Sequence, residues 1–306
     1  MGYVSVRLDD SIHIDELYTV HYFEYMNNFS FEGERHNFWE FLYVDKGEIG
    51  VTADNNYSLL KKGDIIFHKP NEFHTVKATE NSAPNLVVIS FATSSPAMHF
   101  FEGKLLRIDE LGRNLLADIV FEARNCFSCR LDNPYLQHMT KKAPSAFGAE
   151  QMLRLHIEHL LIHLIRINTG MISPKNKMNQ IPPKSTKTRN DCEIFNRVVN
   201  YLENNIRSHV TIDQICHDNL VGRSQLQKIF REKSSKGVIE YFSSMKIDAA
   251  KQMIRTNRMN FTQISEQMGY TSIHYFSRQF KKITGMTPSE YASSVKAMAE
   301  GSFDSK

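Results

Sequence analysis

The sequence predicts an α+β chain of two domains: an N-terminal β-barrel backed by a helical segment, and a C-terminal all-α domain. Three observations carry this. The chain has 306 residues, enough for two cores at roughly 100–200 residues per domain. Short β-rich segments with turn signals fill residues 18–92, and apolar residues recur at helical spacing from about Leu105 onward. The charge divides as well. Residues 1–168 hold 16 Lys+Arg against 22 Asp+Glu, residues 169–189 hold five basic residues and no acid, and residues 190–306 hold 16 basic and 12 acidic. An acidic half joined to a basic one points the second half toward a polyanion, most often nucleic acid.

The strands come first. Trp39–Val44, Glu48–Ala53 and Leu86–Phe91 are rich in β-branched and aromatic residues, and Asp45-Lys46-Gly47, Asp54-Asn55-Asn56 and Lys62-Gly63-Asp64 are turns between strands. Short strands at regular intervals predict an all-β barrel or sandwich over residues 1–104. Residues 34, 36 and 40 share one parity and point the same way in a strand, and Phe38 shares that inward parity. Trp39, Phe41 and Tyr43 have the opposite parity and pack on an outer layer or on the helices. Tyr22, Phe23 and Tyr25 form a further aromatic cluster whose facing the alternation leaves open.

A helical segment spans 105–168. Ile108, Leu111, Leu115, Leu116, Ile119 and Val120 form one stripe; Leu153, Ile157, Leu160, Leu161, Leu164 and Ile165 form another, on a helix from about Gly148 to Asn168. The expectation is a dimerisation element. His156, His159 and His163 on the second helix read either as a metal stripe or, as preferred, as interface or surface residues. Cys126 and Cys129 form a lone C-x-x-C, whereas a zinc site wants four ligands, so the four cysteines read as reduced thiols. Residues 169–189, with three prolines and scattered Lys, Ser and Thr, read as a flexible basic linker. The 41% apolar and 23% charged composition is that of a soluble globular protein. No apolar run approaches the roughly 18 residues of a membrane span, and the first residues carry acids where a signal peptide needs basic and apolar regions. The expected location is the cytoplasm, with no membrane partner.

Residues 190–298 hold two similar segments, Ile215–Tyr241 and Ile264–Tyr291, in which Phe230 and Phe280, and Tyr241 and Tyr291, fall 50 residues apart. Each segment has a short helix, a turn and a second helix with a polar outer face, which is the pattern of a helix-turn-helix. On the first such face stand Arg223, Ser224, Gln227, Lys228 and Arg231; on the second stand His274, Ser277, Arg278 and Lys281, followed by Lys282. The segment Val238–Arg255 is helical by period and, at 1.5 Å per residue, about 27 Å long, the scale of a spacer between two such modules.

This region, roughly 192–296, resembles the DNA-binding domain of the AraC/XylS family of bacterial transcription regulators. The run GYTSIHYFSRQFKKITGMTPSEY from Gly269 to Tyr291 follows the family signature almost throughout. In the first motif Cys216 stands at the usual Ala, Asn219-Leu220 at a common Leu-Gly turn, Ser235 at the usual Gly, and Lys246-Ile247 at the common Arg-Leu. The resemblance implies that Ser224, Gln227 and Lys228, then His274, Ser277 and Arg278, face base edges. Arg231, Lys281 and Lys282 then neutralise phosphates, which position the domain without reading sequence.

The string Glu34-Arg35-His36 with Glu40 and Gly47, followed by Gly63, Pro70 and His74, is similar to the two cupin motifs in sensor domains of the same family. That likeness implies an effector site of Glu34, His36, Phe38, Glu40 and His74 for a small polar molecule such as a sugar. Metal-binding cupins hold an ion at the matching positions, with Glu34 replacing the first His. Two His with one or two carboxylates are chemically able to hold Fe, Mn or Zn. A metal-binding sensor or a metal-dependent cupin enzyme therefore stays open as the alternative, although no cofactor or resident metal is expected. An architectural DNA-binding dimer is a third reading. The function expected is that of an effector-responsive transcription regulator, a homodimer and not an enzyme. Its expected partners are promoter DNA, the effector and, for activation, RNA polymerase.

Overall fold

The computed structural model describes residues 3–79, 82–133, 136–171 and 186–300. The chain divides into two compact units, built on Met1–Asn176 and on Lys177–Lys296. Most of the expected linker, residues 172–185, lies outside the described residues.

In the first unit, the alternation of apolar and polar residues produces strands β1 (Glu16–Glu24), β2 (Ser30–Glu34), β3 (Trp39–Lys46), β4 (Glu48–Ala53), β5 (Asn56–Lys61), β6 (Asp64–His68), β7 (His74–Ala78), β8 (Asn85–Ala92) and β9 (Leu105–Arg107). They form two antiparallel sheets, ordered β1-β8-β3-β6-β9 and β2-β7-β4-β5. Leu42 and Val44 of β3 face the space between the sheets with Ile49, Val51, Leu60 and Val76. Trp39, Phe41 and Tyr43 join the cluster that holds the helices instead. Burial on both faces explains why β3 is continuously apolar from Phe41 to Val44.

Helix α1 (Glu110–Cys126) starts at Asp109, whose carboxylate accepts a hydrogen bond from the Gly112 amide. Helix α2 (Ala149–Asn168) runs beside it. Leu115, Leu116, Ile119 and Ala123 of α1 are buried with Leu153, Ile157, Leu160 and Leu164 of α2 against the outer face of the first sheet. Each buried aliphatic side chain there stabilises the fold by about 1.5–3 kcal/mol over its exposed state. The apolar stripes that motivate a dimerisation element are thus covered within the chain itself. His163 is buried too, and its Nε2 lies 2.8 Å from Asp109 Oδ1, so the histidine stripe includes a brace between the two helices. Cys126 is the last residue of α1, and none of the four cysteines is bridged.

Three boundaries need correction. Leu105–Arg107 is a strand paired with β6, so the barrel extends past 104; the exposed-buried-exposed order of these residues is a strand signature, and helical periodicity starts only at Ile108. Residues 127–133 and 136–148 leave the helical pattern between α1 and α2, with a Phe127–Lys141 bridge. Residues 186–189, expected in the linker, open a helix whose later turns bury Ile194, Val198 and Leu202.

The second unit has α3 (Thr186–Asn204), α4 (Ile212–Asp218), α5 (Arg223–Ser234), α6 (Val238–Thr256), α7 (Phe261–Gln267), α8 (Ile273–Thr284) and α9 (Pro288–Glu300). The sequence repeat is also a repeat of local devices. Thr211 with Gln214 and Asn260 with Gln263 make capping boxes at the starts of α4 and α7. Left-handed backbone occurs at Gly269 and Gly285 in the second motif, and at Leu220 (φ 49°) and Ser235 (φ 56°) in the first. A Cβ on Gly269 would sit 2.5 Å from the Arg207 carbonyl oxygen, so glycine is required there. Leu220 has no such neighbour, being 91% exposed, yet it bears the left-handed strain of a side chain. Leu220→Gly and Ser235→Gly should each stabilise the helical unit by about 0.5–1 kcal/mol, read as a higher urea midpoint in far-UV circular dichroism. An unchanged or lower midpoint for both would contradict the strain.

Candidate functional site

In the second unit, α5 and α8 each bury one face and expose the other. Leu226, Ile229 and Phe230 are buried on α5, and Phe276 and Phe280 on α8. Arg223, Ser224, Lys228 and Arg231 are exposed and Gln227 half-buried; His274, Arg278, Lys281 and Lys282 are exposed and Ser277 half-buried. The ten residues named for DNA contact thus lie off the buried faces of their helices. Arg223 pairs with Asp213 at 3.4 Å and Lys228 with Glu232 at 3.7 Å, exposed contacts that bound solvent and salt weaken. The half-exposed Tyr275 stands beside His274 on α8; no polar pattern in the sequence marks it.

In the first unit, strand register assembles a polar cluster from both sheets. Glu40 in β3 pairs with His68 of β6 on one side and Ser90 of β8 on the other, while Glu34 at the end of β2 pairs with His74 of β7. Glu34, His36, Glu40 and His74 each offer one ligand atom, and these four atoms lie within 4.8 Å of one another. His74 Nε2 is 3.3 Å from Glu40 Oε1 and 3.8 Å from Glu34 Oε1, and His36 Nε2 is 3.8 Å from Glu40 Oε2. Ser90 Oγ donates to Glu40 Oε2 at 2.6 Å. Phe38 stacks between Tyr18 and His36, with ring centroids 4.0 and 3.9 Å away.

Burial works against the charge of Glu40, but His74 and the Ser90 hydroxyl more than offset it and bring its carboxyl down to about 2. Burial likewise disfavours the charged His74, and its contacts with Glu40 reverse this, so its imidazole titrates above the usual value. Burial lowers His36. Glu34, half exposed at the solvent end of the cluster, is raised by desolvation and by the Glu40 charge. Polar groups so arranged suit a ligand with hydrogen-bonding groups or a cation, oriented against the aromatic stack.

All five residues named for the effector come together. Three neighbours join them that the sequence reading left out: His68, whose ring lies parallel to His74 at 4.1 Å; Ser90; and the half-buried Tyr25, stacked on Phe29 at 3.5 Å, which feels the charges of Glu40 and Glu34. His68 shares the inward parity of Ile66, but only the β3–β6 register sets it beside Glu40. A separate cavity of about 550 Å³ lies among Leu17, Tyr18, Phe127, Met139, Leu153 and Ile157, and offers no comparable cluster of ligand atoms.

Residues 16–94 match the family described as the AraC-like ligand binding domain, and residues 215–294 match a helix-turn-helix domain family. Over 256 residues the chain is 23% identical to the raffinose operon transcriptional regulatory protein RafR of Pediococcus pentosaceus, spanning 83% of this chain and 84% of that one. It is 29% identical over 111 residues to the arabinose operon regulatory protein of Salmonella typhimurium, spanning 36% of this chain and 37% of that one. It is 24% identical over 113 residues to the HTH-type transcriptional activator RhaR of Escherichia coli K12, spanning 37% and 38%. The last two matches cover little more than a third of the relatives' length.

Proposed function

Since the chain belongs, by both of its domains, to the AraC-type transcription regulators, we propose that it binds promoter DNA as a dimer under the control of a small polar effector. The observation that carries this reading is the union, on one chain, of a tandem helix-turn-helix unit with a barrel whose polar cluster reaches solvent at Glu34. Glu34, His36, Phe38, Glu40 and His74 hold the effector. Ser224, Gln227, Lys228, His274, Ser277 and Arg278 read bases, while Arg223, Arg231, Lys281 and Lys282 hold the backbone. Two relatives take their names from the raffinose and arabinose operons, so a sugar is the first class to test.

The effector acts by binding one arrangement of the dimer more tightly than another, because equal affinity for both shifts nothing. Phe121 of α1 and Met152 and Leu155 of α2 remain exposed after the protomer is packed, and they supply the dimer surface. The activator name of the third relative supports activation as the sign of regulation; RNA polymerase is the partner that activation calls for. No helix among the described residues is long and apolar enough to cross a membrane, which accords with action on the chromosome in the cytoplasm. The relatives are regulators, and the cluster serves binding rather than turnover.

The test is selection of bound duplexes from a random pool with the full chain, followed by affinity measurements with and without a panel of sugars. One duplex with contact blocks about one helical turn apart should emerge. One sugar should shift its affinity at least about tenfold, a coupling of about 1.4 kcal/mol. In His74→Ala the shift should vanish while effector-free DNA affinity stays. Selection without sequence preference would overturn the regulator reading; a selected duplex indifferent to every effector would leave the architectural dimer.

A further inference from the structure

Between the two helix-turn-helix motifs lies a buried charge without a counter-charge. Lys246 of α6 is 6% exposed, and two of its three ammonium hydrogens go to the Ser208 and Met268 carbonyls. The third has no hydrogen-bond acceptor among the described residues. Burial alone moves its titration, downward to about 8, because no carboxylate stands close enough to oppose it. The hydroxyl of Tyr270, in the turn before α8, is also buried and has no partner among the described residues. Donors left unpaired in the interior are costly, and a charged one most of all.

Both residues line one pocket of about 300 Å³, with apolar walls from Val210, Ile239, Phe242 and Tyr275. Val210 precedes α4, Ile239 and Phe242 belong to α6, and Tyr270 and Tyr275 flank the start of α8. The pocket thus touches the approach to the first motif, the linking helix and the second motif. The Lys246 nitrogen lies 4.9 Å from the Phe242 ring centroid and 5.5 Å from that of Tyr270. Arginine, common at this position in the resembling family, is larger and spreads its charge over a planar fork. Lysine concentrates the charge at one point and leaves space beside it.

The complement of two neighbouring donors, one of them cationic, is an anion with acceptor oxygens. The walls ask for a hydrocarbon body behind that head, since an inorganic anion would leave them facing water. A cavity of about 150 Å³ already takes a benzene ring. A pocket of about 300 Å³ therefore takes one ring, or a branched chain of that size, together with a head group. We propose that this pocket binds a small monocarboxylate, its head on the Lys246 ammonium and the Tyr270 hydroxyl and its body against the apolar walls. The inference goes beyond the regulator reading and does not rest on it, because the effector of that reading sits in the other unit.

The test is saturation-transfer NMR and calorimetry on the full chain with isovalerate, cyclohexanecarboxylate and phenylacetate. At least one of these should bind, one molecule to each chain. Cyclohexylmethanol, the neutral counterpart of the second probe, should bind at least about tenfold more weakly than that probe, and inorganic phosphate should not compete. Tyr270→Phe removes an oxygen that bonds to nothing, and Ile239 is 38% exposed, so both Tyr270→Phe and Ile239→Glu keep the fold, as far-UV circular dichroism will report. Tyr270→Phe should weaken binding about tenfold, and Ile239→Glu, which sets a negative charge on the wall, at least about tenfold. Absence of binding by all three probes to the folded wild type overturns the proposal. So does binding that both variants leave intact, which would place the probe in the barrel or in the larger cavity. Phosphate that displaces the probe would overturn the carboxylate class and assign the pocket to a nucleic-acid backbone. None of these failures touches the DNA selection described above, so the two readings fall separately.

Discussion

Lys246→Met should destabilise the helical unit by about 2–3 kcal/mol, although it conserves most of the side chain's volume. Lys246 lies in α6 between the two motifs, is 6% exposed, and donates to the Ser208 carbonyl at 2.8 Å and the Met268 carbonyl at 2.5 Å. Ser208 precedes the first motif and Met268 closes α7 of the second, so one ammonium joins both. Its nitrogen also lies over the rings of Phe242 and Tyr270, at 4.9 and 5.5 Å. Methionine leaves two carbonyls unpaired, the Met268 carbonyl in a fully buried residue. The urea midpoint should fall, and Lys246→Arg, which keeps the charge and donors, should recover part of it. Burial pulls the Lys246 ammonium down to about 8 from its ordinary 10.5. Between those values the unfolded chain binds more protons than the folded one, so stability from this group rises with pH across that window. The deficit of Lys246→Met against wild type should therefore widen from pH 8 to 10. A deficit that is absent at pH 7 would show that Lys246 does not bridge the motifs as described, and one that shrinks with pH would show that the two carbonyls outweigh burial in setting its titration.

What the sequence made legible follows from which features depend on local pattern. The Glu34, His36, Glu40 and His74 grouping was readable from the likeness to the two cupin motifs, whereas the shared strand parity of 34, 36 and 40 fails: β2 ends at Glu34, β3 begins at Trp39 in the other sheet, and His36 lies between them. His68 was not readable. Its place beside Glu40 depends on the β3–β6 register, and alone it reads as a histidine between Phe67 and Lys69. The stripes on α1 and α2 announced that an apolar face is covered; amphipathicity carries no information about what covers it, and the cover is the outer face of the barrel, with Phe41 and Trp39. Leu105–Arg107 escaped because a three-residue strand is shorter than the window in which period 2 can be told from period 3.6. The helix-turn-helix pair was the most legible part. Its signals are repeated 49 to 50 residues apart, and the structure repeats them as caps and left-handed turns at Leu220 and Gly269.

That repeat places Arg278 and Lys282 four residues apart on α8, both exposed, and they should fail in different ways. Arg278 stands two residues before the buried Phe280, in the register proposed for base edges, where a guanidinium can grip guanine O6 and N7 with two parallel bonds. Arg278→Ala should cost about 1–3 kcal/mol on the selected duplex, roughly 5- to 150-fold, and nearly nothing on duplexes already mismatched at that base pair. Lys282 lies in the last turn of the helix, two residues beyond Phe280, where its charge meets backbone. Lys282→Ala should weaken binding about equally on all sequences and reduce the slope of log affinity against log salt by about 0.9. Both side chains are exposed and neither enters the core, so the unfolding midpoint should not move in either variant and the comparison reads recognition alone. Loss of specificity in Lys282→Ala with none in Arg278→Ala would mean that α8 meets the groove with its other turn, and the contact register of both motifs would have to be redrawn.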